Sequence, residues 1–288
     1  MDGPVDEDSV RRVVARMVGP GRSLSLLGQG TDHVAYDVDG AFVARVALDP
    51  DGETAAAIAR ERAVLDLVGP VSPVPVPEVV AADPDAGVVV LRRLPGASLL
   101  DEPCRDVDAV VDQLAAFLTA VWSLPVDDGD GLVEVDDVPL EEYRAEAAGT
   151  LERVAAALDE QQARLVAAFL AAPPPAEPPG LVLTHNDLGA EHLLAAPDRA
   201  TLTGVIDWSD AAVADPARDL GRIHRDLGPD AAARLIARLD RDDPALAERA
   251  AFHARCALLE DLEFGLDGGD RRYRDAALGA LVRVFAGA

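Results

Sequence analysis

Polar residues that could carry acid–base or metal chemistry follow two apolar runs in the second half of the chain. The run at 181–184 is followed by His185, Asn186 and Asp187, and the run at 202–206 is followed by Asp207. One carboxylate can accept a proton from a hydroxyl nucleophile while another holds a divalent cation, which is the division of labour that phosphoryl transfer needs. This chemistry requires that the fold bring both carboxylates to one cleft.

The sequence between Asp187 and Asp207 predicts how they meet. Residues 193–194 and 202–206 have the pattern of a short hairpin around a Pro-Asp-Arg turn at 197–199. Such a hairpin would return Asp207 to the edge at which Asp187 lies. We therefore expect the two carboxylates at the ends of adjacent strands.

A helix is predicted directly after these loops. Asp215 is a typical N-cap residue, and Pro216 suits the first position of a helix. Asp219 follows in the first turns of that helix, where it is expected to reach back and brace the loop at Asp187. Both aspartates are thus predicted to have structural roles.

The basic residues limit the possible chemistry. All 26 of them are arginine, and asparagine occurs once, at Asn186. The absence of lysine excludes Schiff-base chemistry and the GxxxxGK[ST] phosphate loop. A role that other proteins give to lysine must therefore fall to arginine.

The net charge of −26 bears on the choice of partners. It repels nucleic-acid phosphates and anionic membrane surfaces, and it attracts small cations. We therefore expect neither a nucleic-acid nor a membrane partner, and a cationic substrate is favoured over an anionic one. A general acidic bias of the source proteome would explain the charge equally well.

No feature of the sequence predicts export or a membrane anchor. No apolar run approaches the roughly 20 residues that span a bilayer, and the start MDGPVDED lacks the basic and apolar regions of a signal peptide. Cys104 and Cys256, the only cysteines, are far apart and predict buried thiols rather than a disulfide or a zinc site. We expect a cytoplasmic protein.

The pattern along the chain predicts two lobes that share a cleft, in an α+β fold. An antiparallel meander and one good helix predict a small lobe over residues 1–92, ending at a hinge near 91–96. Helical patterns dominate the predicted second lobe, residues 93–288. The strands predicted for the first lobe are 24–27, 34–38, 42–48, 78–82 and 88–91, and its helix is 53–68.

Two features of the first lobe could bind phosphate. Gly28 and Gly30 lie in a hairpin turn, where backbone amides can approach a phosphate, although such glycines more often form only a turn. Arg45 lies inside a strand, and Glu61 lies on the apolar face of the following helix. Because a charge at either place needs a partner, we predict that Glu61 holds Arg45 against phosphates, with two separate solvated charges as the alternative.

These motifs together resemble those of the aminoglycoside phosphotransferases and their macrolide-phosphorylating relatives, which share the fold of protein kinases. The combined spacing is specific, and the resemblance extends more loosely over the first lobe, so it covers most of the chain. It implies a bilobal protein-kinase-like fold with a mainly helical second lobe. The matching segments are His185-Asn186-Asp187 with His192 five positions on, Ile206-Asp207-Trp208, and DPARDL at 215–220.

The resemblance also implies roles for individual residues. Asp187 would be the catalytic base that orients and deprotonates the acceptor hydroxyl, and His185 would brace its loop. Asp207 would bind magnesium at the phosphates of ATP or GTP. The nucleotide-binding residues that the resemblance implies are Gly28, Gly30, Thr31, Arg45, Glu61, Leu91, Arg92 and Leu94.

The sequence departs from the family pattern at two positions. Arg45 stands where lysine is usual, and a guanidinium can bind phosphate oxygens through two hydrogen bonds. His192 stands where asparagine is usual as the second metal ligand. Because Mg²⁺ prefers oxygen ligands, an imidazole suits Mn²⁺ or a hydrogen bond to phosphate better. We expect His192 at the metal and phosphate site.

The resemblance implies a small-molecule O-phosphotransferase whose acceptor is an aminoglycoside or a related antibiotic, giving resistance by modification. Glu260, Asp261 and Glu263 lie where related enzymes collect acidic side chains around an amine-bearing acceptor, and a solvated acidic face explains them equally well. His192 favours the macrolide-like or GTP-using branches. A metabolic kinase acting on a sugar, choline or homoserine is the nearest alternative, followed by a non-catalytic nucleotide-binding protein.

Overall fold

A computed structural model describes residues 7–30, 32–125, 133–268 and 270–286. The first part of the chain forms an antiparallel five-stranded sheet in the order β1-β2-β3-β5-β4. The predicted strands are confirmed, with small shifts at their ends. The strands are β1 (Leu24–Gln29), β2 (His33–Val38), β3 (Phe42–Ala47), β4 (Val79–Asp83) and β5 (Val88–Arg92).

Two helices pack on opposite faces of this sheet. Val10 and Val14 of α1 (Glu7–Val18) are buried with the residues of β3 and β5 that point to one face, Ala44, Val46, Val88 and Val90. The predicted helix is α2 (Gly52–Val68), which packs on the other face through Ile58, Leu65 and Val68. The sequence predicts α1 as a short packing helix, from Val10, Val13, Val14 and Met17 at helical spacing, but assigns only one helix to the first lobe. The lobe has two helices, because the tertiary contact assigns α1 to the sheet.

The second part of the chain is mainly helical, as predicted, and α8 packs against α4, α6 and α9. No helix in the described ranges combines the length and the apolar composition needed to cross a bilayer. The helices are α3 (Val107–Trp122), α4 (Leu140–Val154), α5 (Glu160–Ala171), α6 (Ala217–Leu227), α7 (Pro229–Ile236), α8 (Leu246–Leu266) and α9 (Arg271–Phe285).

The start of α6 differs slightly from the prediction. The helix begins at Ala217, so Pro216 is the N-cap residue and Asp215 precedes it. Asp215 still serves the helix, because its Oδ1 accepts a hydrogen bond from the amide of Ala217 at 2.9 Å. The sequence thus identified the residues of this cap but placed the helix one residue early.

The second part of the chain also contains two three-stranded sheets. One has the order β10-β9-β6, and the predicted hairpin is its pair β9 and β10. The other has the order β7-β11-β8. The strands are β6 (Ala97–Ser98), β7 (Glu134–Asp136), β8 (Val182–Thr184), β9 (Leu193–Ala195), β10 (Leu202–Val205) and β11 (Ala212–Ala214).

The expectation that Asp187 and Asp207 follow adjacent strands is wrong. Asp187 follows β8 and Asp207 follows β10, and these strands belong to different sheets. Strands of three or four residues carry too little pattern to identify their partners, and here β8 pairs with β11 while β10 pairs with β9. The two carboxylates therefore meet between two sheet ends.

His224 on α6 gives a prediction for stability against pH. Burial, together with the nearby Arg255 and Arg283, lowers the pKa of His224 to about 4. Between its ordinary pKa and that value the unfolded chain binds the extra proton, so the free energy of unfolding falls as pH falls. Urea titrations at pH 7 and pH 5 should show a loss of about 1–3 kcal/mol from this group.

The matched variant is His224→Gln, which removes the titrating ring. Its free energy of unfolding should fall less between pH 7 and pH 5 than that of the unchanged protein. Equal pH dependence of the two proteins would show that His224 is not held neutral.

Candidate active site

The two loops that carry the predicted site each contain a non-glycine residue in the left-handed backbone region. Asn186 has a φ of 68° and Asp207 a φ of 63°. Each such conformation costs on the order of 1–3 kcal/mol and persists only where the surroundings fix it. Hydrogen bonds hold the backbone of both loops in these conformations.

Asp219 on α6 holds the backbone of the loop that contains Asp187. Its carboxylate accepts hydrogen bonds from the amides of Asn186 at 2.9 Å and His185 at 3.4 Å, and from the indole N–H of Trp122 at 3.0 Å. Burial raises the pKa of Asp219 to about 6, although these three donors favour the charged form. The prediction that Asp219 braces this loop is confirmed.

His185 links the two loops through its ring. Its Nε2 lies 2.9 Å from the carbonyl oxygen of Ile206, so Nε2 donates, and its Nδ1 accepts from the amide of Asp187 at 3.3 Å. The side chain is fully buried, and this burial lowers the pKa of His185 to about 4. The ring is thus neutral, and both of its nitrogens are used to hold backbone.

His192 lies between the two carboxylates. Its Nδ1 is 2.8 Å from the carbonyl oxygen of Asp187 and 3.5 Å from Oδ2 of the same residue, and its Nε2 is 3.8 Å from Oδ2 of Asp207. Burial would raise the pKa of Asp187, but Arg222 and His192 hold it well below its usual range. Asp187 is therefore a carboxylate at neutral pH.

The donor atoms of His192 and Asp207 fit a divalent cation. Because Nδ1 donates to a carbonyl, the neutral ring carries its lone pair on Nε2, which faces the Asp207 carboxylate. Burial alone would lower the pKa of His192, but the carboxylates of Asp187 and Asp207 raise it. The place between these carboxylates thus favours one positive charge, which is a proton on the ring or, in its stead, a bound cation. One nitrogen and one carboxylate oxygen suit Mn²⁺ at least as well as Mg²⁺.

A second group of potential ligands overlaps this pair. Atoms of Asp187, Glu191 and His192 lie within 4.8 Å of one another. Glu191, however, is already paired with the buried Arg225 at 3.0 Å. Both carboxylate oxygens of Glu191 are thus engaged by Arg225, whereas Oδ2 of Asp207 faces Nε2 of His192.

Arg45 and Glu61 form the predicted pair. Arg45 Nη1 donates to Glu61 Oε1 at 2.6 Å and lies 3.2 Å from Asp207 Oδ1, and both members of the pair are buried. A guanidinium shared by two carboxylates from different lobes keeps one direction. The guanidinium of Arg45 therefore lies next to the Asp207 carboxylate.

A cavity of about 350 Å³ lies between the five-stranded sheet and Leu194, Ile206 and Asp207 of the second lobe. Gly30 and Glu61 are outside its wall: the amide of Gly30 donates to the carbonyl of His33 at 2.9 Å within the turn after β1, and Glu61 lies behind Arg45. Thr31 lies outside the described residues. The predicted nucleotide-binding residues that line this cavity, together with Asp207, are Gly28, Arg45, Leu91, Arg92 and Leu94.

A second cavity, of about 520 Å³, lies between α2, α4 and the loop after β10. It reaches the site through Asn186 and Arg222, which are part of its wall. Two of its arginines are paired within the wall, Arg60 with Glu134 at 2.9 Å and Arg218 with Asp136 at 3.6 Å. The cavity is therefore polar and has charges of both signs.

The three acidic residues predicted for acceptor binding on α8 point in different directions. Glu260 lies 3.7 Å from Arg222, and Asp261 lies 2.8 Å from the buried Arg225. Glu263 turns to α4, where it pairs with Arg153 and accepts from Thr150 at 3.2 Å. Only Glu260 and Asp261 are joined to the site, each through an arginine of α6.

Two arginines at the site were missed in the sequence. Arg222 Nε lies 3.0 Å from Asp187 Oδ1, and Arg218 Nε donates to Asn186 Oδ1 at 2.8 Å. Their spacing of four residues, with Asp219 between them, places them on one face of a helix. That spacing, once Asp219 was expected to reach the loop, was the signal that could have found them.

Comparison with known proteins places this site in a known context. The model of the phosphotransferase enzyme family (APH) matches residues 23–254. A viomycin phosphotransferase of Streptomyces vinaceus is 28% identical over 201 residues, which are 66% of this chain and 68% of that protein. An aminoglycoside 3'-phosphotransferase of Streptomyces fradiae is 30% identical over 200 residues, 61% of this chain and 65% of that protein.

The fold also matches a solved structure over nearly its whole length. A GDP and kanamycin complex of an APH(2'') enzyme superposes with a TM-score of 0.74, covering 96% of this chain and 98% of that chain. The sequence identity is 23%, so this likeness shows the fold. The predicted bilobal kinase-like fold class is confirmed.

Proposed function

This chain belongs to the phosphotransferase enzyme family, and on that premise we propose that it moves the γ-phosphoryl group of ATP or GTP to a hydroxyl of an aminoglycoside or a related basic antibiotic. The observation that carries this proposal is the convergence of Asp187 and Asp207 on His192, with Asp207 beside Arg45 in the wall of the cavity between the lobes. Modification of such a compound would give resistance to it. Use of a nucleoside triphosphate suits a cytoplasmic site.

The residues of the site have distinct roles in this proposal. Arg45, held by Glu61, binds phosphate oxygens of the nucleotide. The nucleobase lies against Leu91, Arg92 and Leu94, where the first lobe is predicted to end. The Asp187 carboxylate accepts the hydrogen bond of the acceptor hydroxyl, directs its oxygen at the γ-phosphorus and takes its proton as the new P–O bond forms. The bond between the γ-phosphorus and the β–γ bridging oxygen breaks in the same step, and the nucleoside diphosphate leaves. His185 holds the loop and does not react.

Asp207 and His192 are the residues that would hold Mg²⁺, or Mn²⁺, in this arrangement. When bound, such a cation neutralises charge on the phosphate oxygens. Arg45 lies next to Asp207 at 3.2 Å, so it acts on the same group of oxygens. The two sources of positive charge meet at the boundary between the lobes.

The acceptor would approach Asp187 from the helical lobe. Glu260 and Asp261 remain the candidates for binding an amine, because they join Arg222 and Arg225 next to the loop. The pair of Glu263 with Arg153 points to α4 and argues against a direct contact with the acceptor. A cationic acceptor also fits the net charge of −26.

Nucleotide turnover with a panel of acceptors tests the proposal. The panel contains aminoglycosides, viomycin, macrolides, choline and homoserine, each with ATP and with GTP, and the Asp187→Ala protein is the control. Stimulation by a basic antibiotic that Asp187→Ala abolishes is the expected result. The proposal fails if no antibiotic stimulates turnover by the unchanged protein, or if Asp187→Ala turns over equally fast.

Glu61→Gln gives a separate prediction for nucleotide binding. Without the Glu61 charge, Arg45 loses a charge-assisted hydrogen bond of 2.6 Å and is no longer held from behind. The KM for nucleotide should rise by about 10- to 100-fold, the equivalent of one such bond. Asp66→Asn, which removes an exposed carboxylate from the same helix, should leave KM unchanged, and equal KM values for all three proteins would contradict the role of Glu61.

A further inference from the structure

One face of α6 contacts the loop 185–191, and residues further along the helix contact residues further along the loop. Residues 218, 219, 222 and 225 of a helix lie along one stripe, because their spacings are three and four. Side chains of successive turns therefore hold successive parts of the loop. The contacts are Asp219 with the amides of His185 and Asn186, Arg218 with the Asn186 side chain, Arg222 with the Asp187 carboxylate and Arg225 with Glu191.

Arg222 is the member of this stripe that contacts the carboxylate of Asp187. Its Nε lies 3.0 Å from Asp187 Oδ1, with side chains that are 15% and 23% exposed. On its other side, Nη2 of Arg222 lies 3.7 Å from Glu260 of α8. The guanidinium is thus fixed between two helices and a loop, and it is shielded from most of the water that weakens surface ion pairs.

The two oxygens of Asp187 have different neighbours as a result. Oδ1 faces the guanidinium of Arg222, and Oδ2 faces Nδ1 of His192 at 3.5 Å. Rotation of the carboxylate about its last bond would exchange these neighbours. A planar guanidinium at one oxygen favours a single orientation of the carboxylate plane, whereas a carboxylate without it can rotate.

We propose that Arg222 is a positioning residue, which fixes the orientation of the Asp187 carboxylate toward the acceptor hydroxyl. The proposal rests on the proposed function, in which Asp187 receives that hydroxyl. Arg222 is not part of the wall of the nucleotide cavity, and it acts on the reaction through its contact with Asp187. Its loss should therefore lower kcat and leave the KM for nucleotide unchanged.

The kinetic test compares Arg222→Ala and Arg222→Lys with the unchanged protein, at saturating acceptor. We expect kcat of Arg222→Ala to fall about 100-fold, since a misplaced catalytic group costs about that factor. Arg222→Lys should recover part of the loss, and added methylguanidinium should raise the rate of Arg222→Ala but not that of Asp187→Ala. The matched control is Arg234→Ala, which removes an arginine of α7 from its ion pair with Asp108 of α3 at 2.8 Å. Its kcat should equal that of the unchanged protein.

Two kinetic results would overturn the proposal. One is an Arg222→Ala protein with the kcat of the unchanged protein. The other is a loss that neither lysine nor methylguanidinium reduces and that is accompanied by an equal loss of thermal stability, since this would mean that Arg222 only supports the fold.

A second measurement does not depend on any acceptor. Crystal structures of Arg222→Ala and of the unchanged protein show the orientation of the Asp187 side chain directly. We expect a rotated carboxylate, or two conformers of it, in Arg222→Ala, and one unchanged conformer would overturn the proposal. If every acceptor fails with the unchanged protein, the proposed function fails, while this structural comparison still decides the role of Arg222.

Discussion

Asp187→Ala is expected to lower kcat for phosphoryl transfer by about 10²- to 10⁴-fold, the usual contribution of a positioned base. The carboxylate lies between His192 and Arg222, and no other carboxylate of the described residues is paired with both of these side chains. Nucleotide binding should change little, because Asp187 is not part of the cavity between the lobes. Steady-state kinetics and calorimetric titration of nucleotide measure the two quantities separately.

Asp187→Asn and Asp198→Asn sharpen this test. Asp187→Asn keeps the size of the side chain and removes its charge, so it should be nearly as slow as Asp187→Ala. Asp198 lies in the turn between β9 and β10, where it accepts from the amide of Ala200 at 2.9 Å, and Asp198→Asn should keep the kcat of the unchanged protein. An Asp187→Ala protein within tenfold of the unchanged kcat would refute the assignment of the base.

Arg249→Met is expected to lower the free energy of unfolding by about 3–5 kcal/mol, the cost of breaking a buried ion pair from one side. Arg249 is 0% exposed, and its guanidinium lies 2.7 Å from Asp215 and 2.5 Å from Asp243. Methionine fills much of the volume but leaves two buried carboxylates without their cation. Asp215 also accepts a hydrogen bond at the start of α6, so the substitution should destabilise the helix that holds the loop of Asp187. Urea denaturation of the purified protein gives the value.

The surface pair of Arg238 with Asp112 is the control for this prediction. Arg238→Ala removes a guanidinium that is 34% exposed, and such pairs contribute less than about 1 kcal/mol. Arg249→Met combined with Asp215→Asn and Asp243→Asn should recover part of the stability, since it removes the uncompensated charges. If Arg249→Met does not fold, Arg249→Lys should be folded with an intermediate loss, and equal stability of Arg249→Lys and the unchanged protein would contradict the argument.

Local sequence was sufficient for most elements of the fold. The strands of the first sheet and the helix α2 follow apolar patterns that local geometry alone dictates, so their ends were predicted closely. The sequence also identified both carboxylates, their histidines, and the pairing of Arg45 with Glu61. That pairing was predictable because each charge lies on an apolar face, where it must find a partner.

Long-range pairing decided what the sequence could not. β8 pairs with β11 instead of with the hairpin of β9 and β10, and the two sheets are completed by β7 and β6, which lie far away in the chain. Strands of two or three residues carry no signal for such partners. The same holds for α1, whose apolar stripe was evident while its place on the sheet was not. The convergence of Asp187 and Asp207 is therefore a result of the tertiary structure.

The amino-acid sequence by itself determined which groups are available: two carboxylates after apolar runs, arginine as the only strong cation, and one asparagine. Only the tertiary structure decided how they are charged and oriented, because burial and neighbouring charges act through space. It placed Arg222 on Asp187 and the neutral ring of His185 between two loops. It also turned Glu263 toward Arg153, which a list of acidic residues on α8 could not reveal.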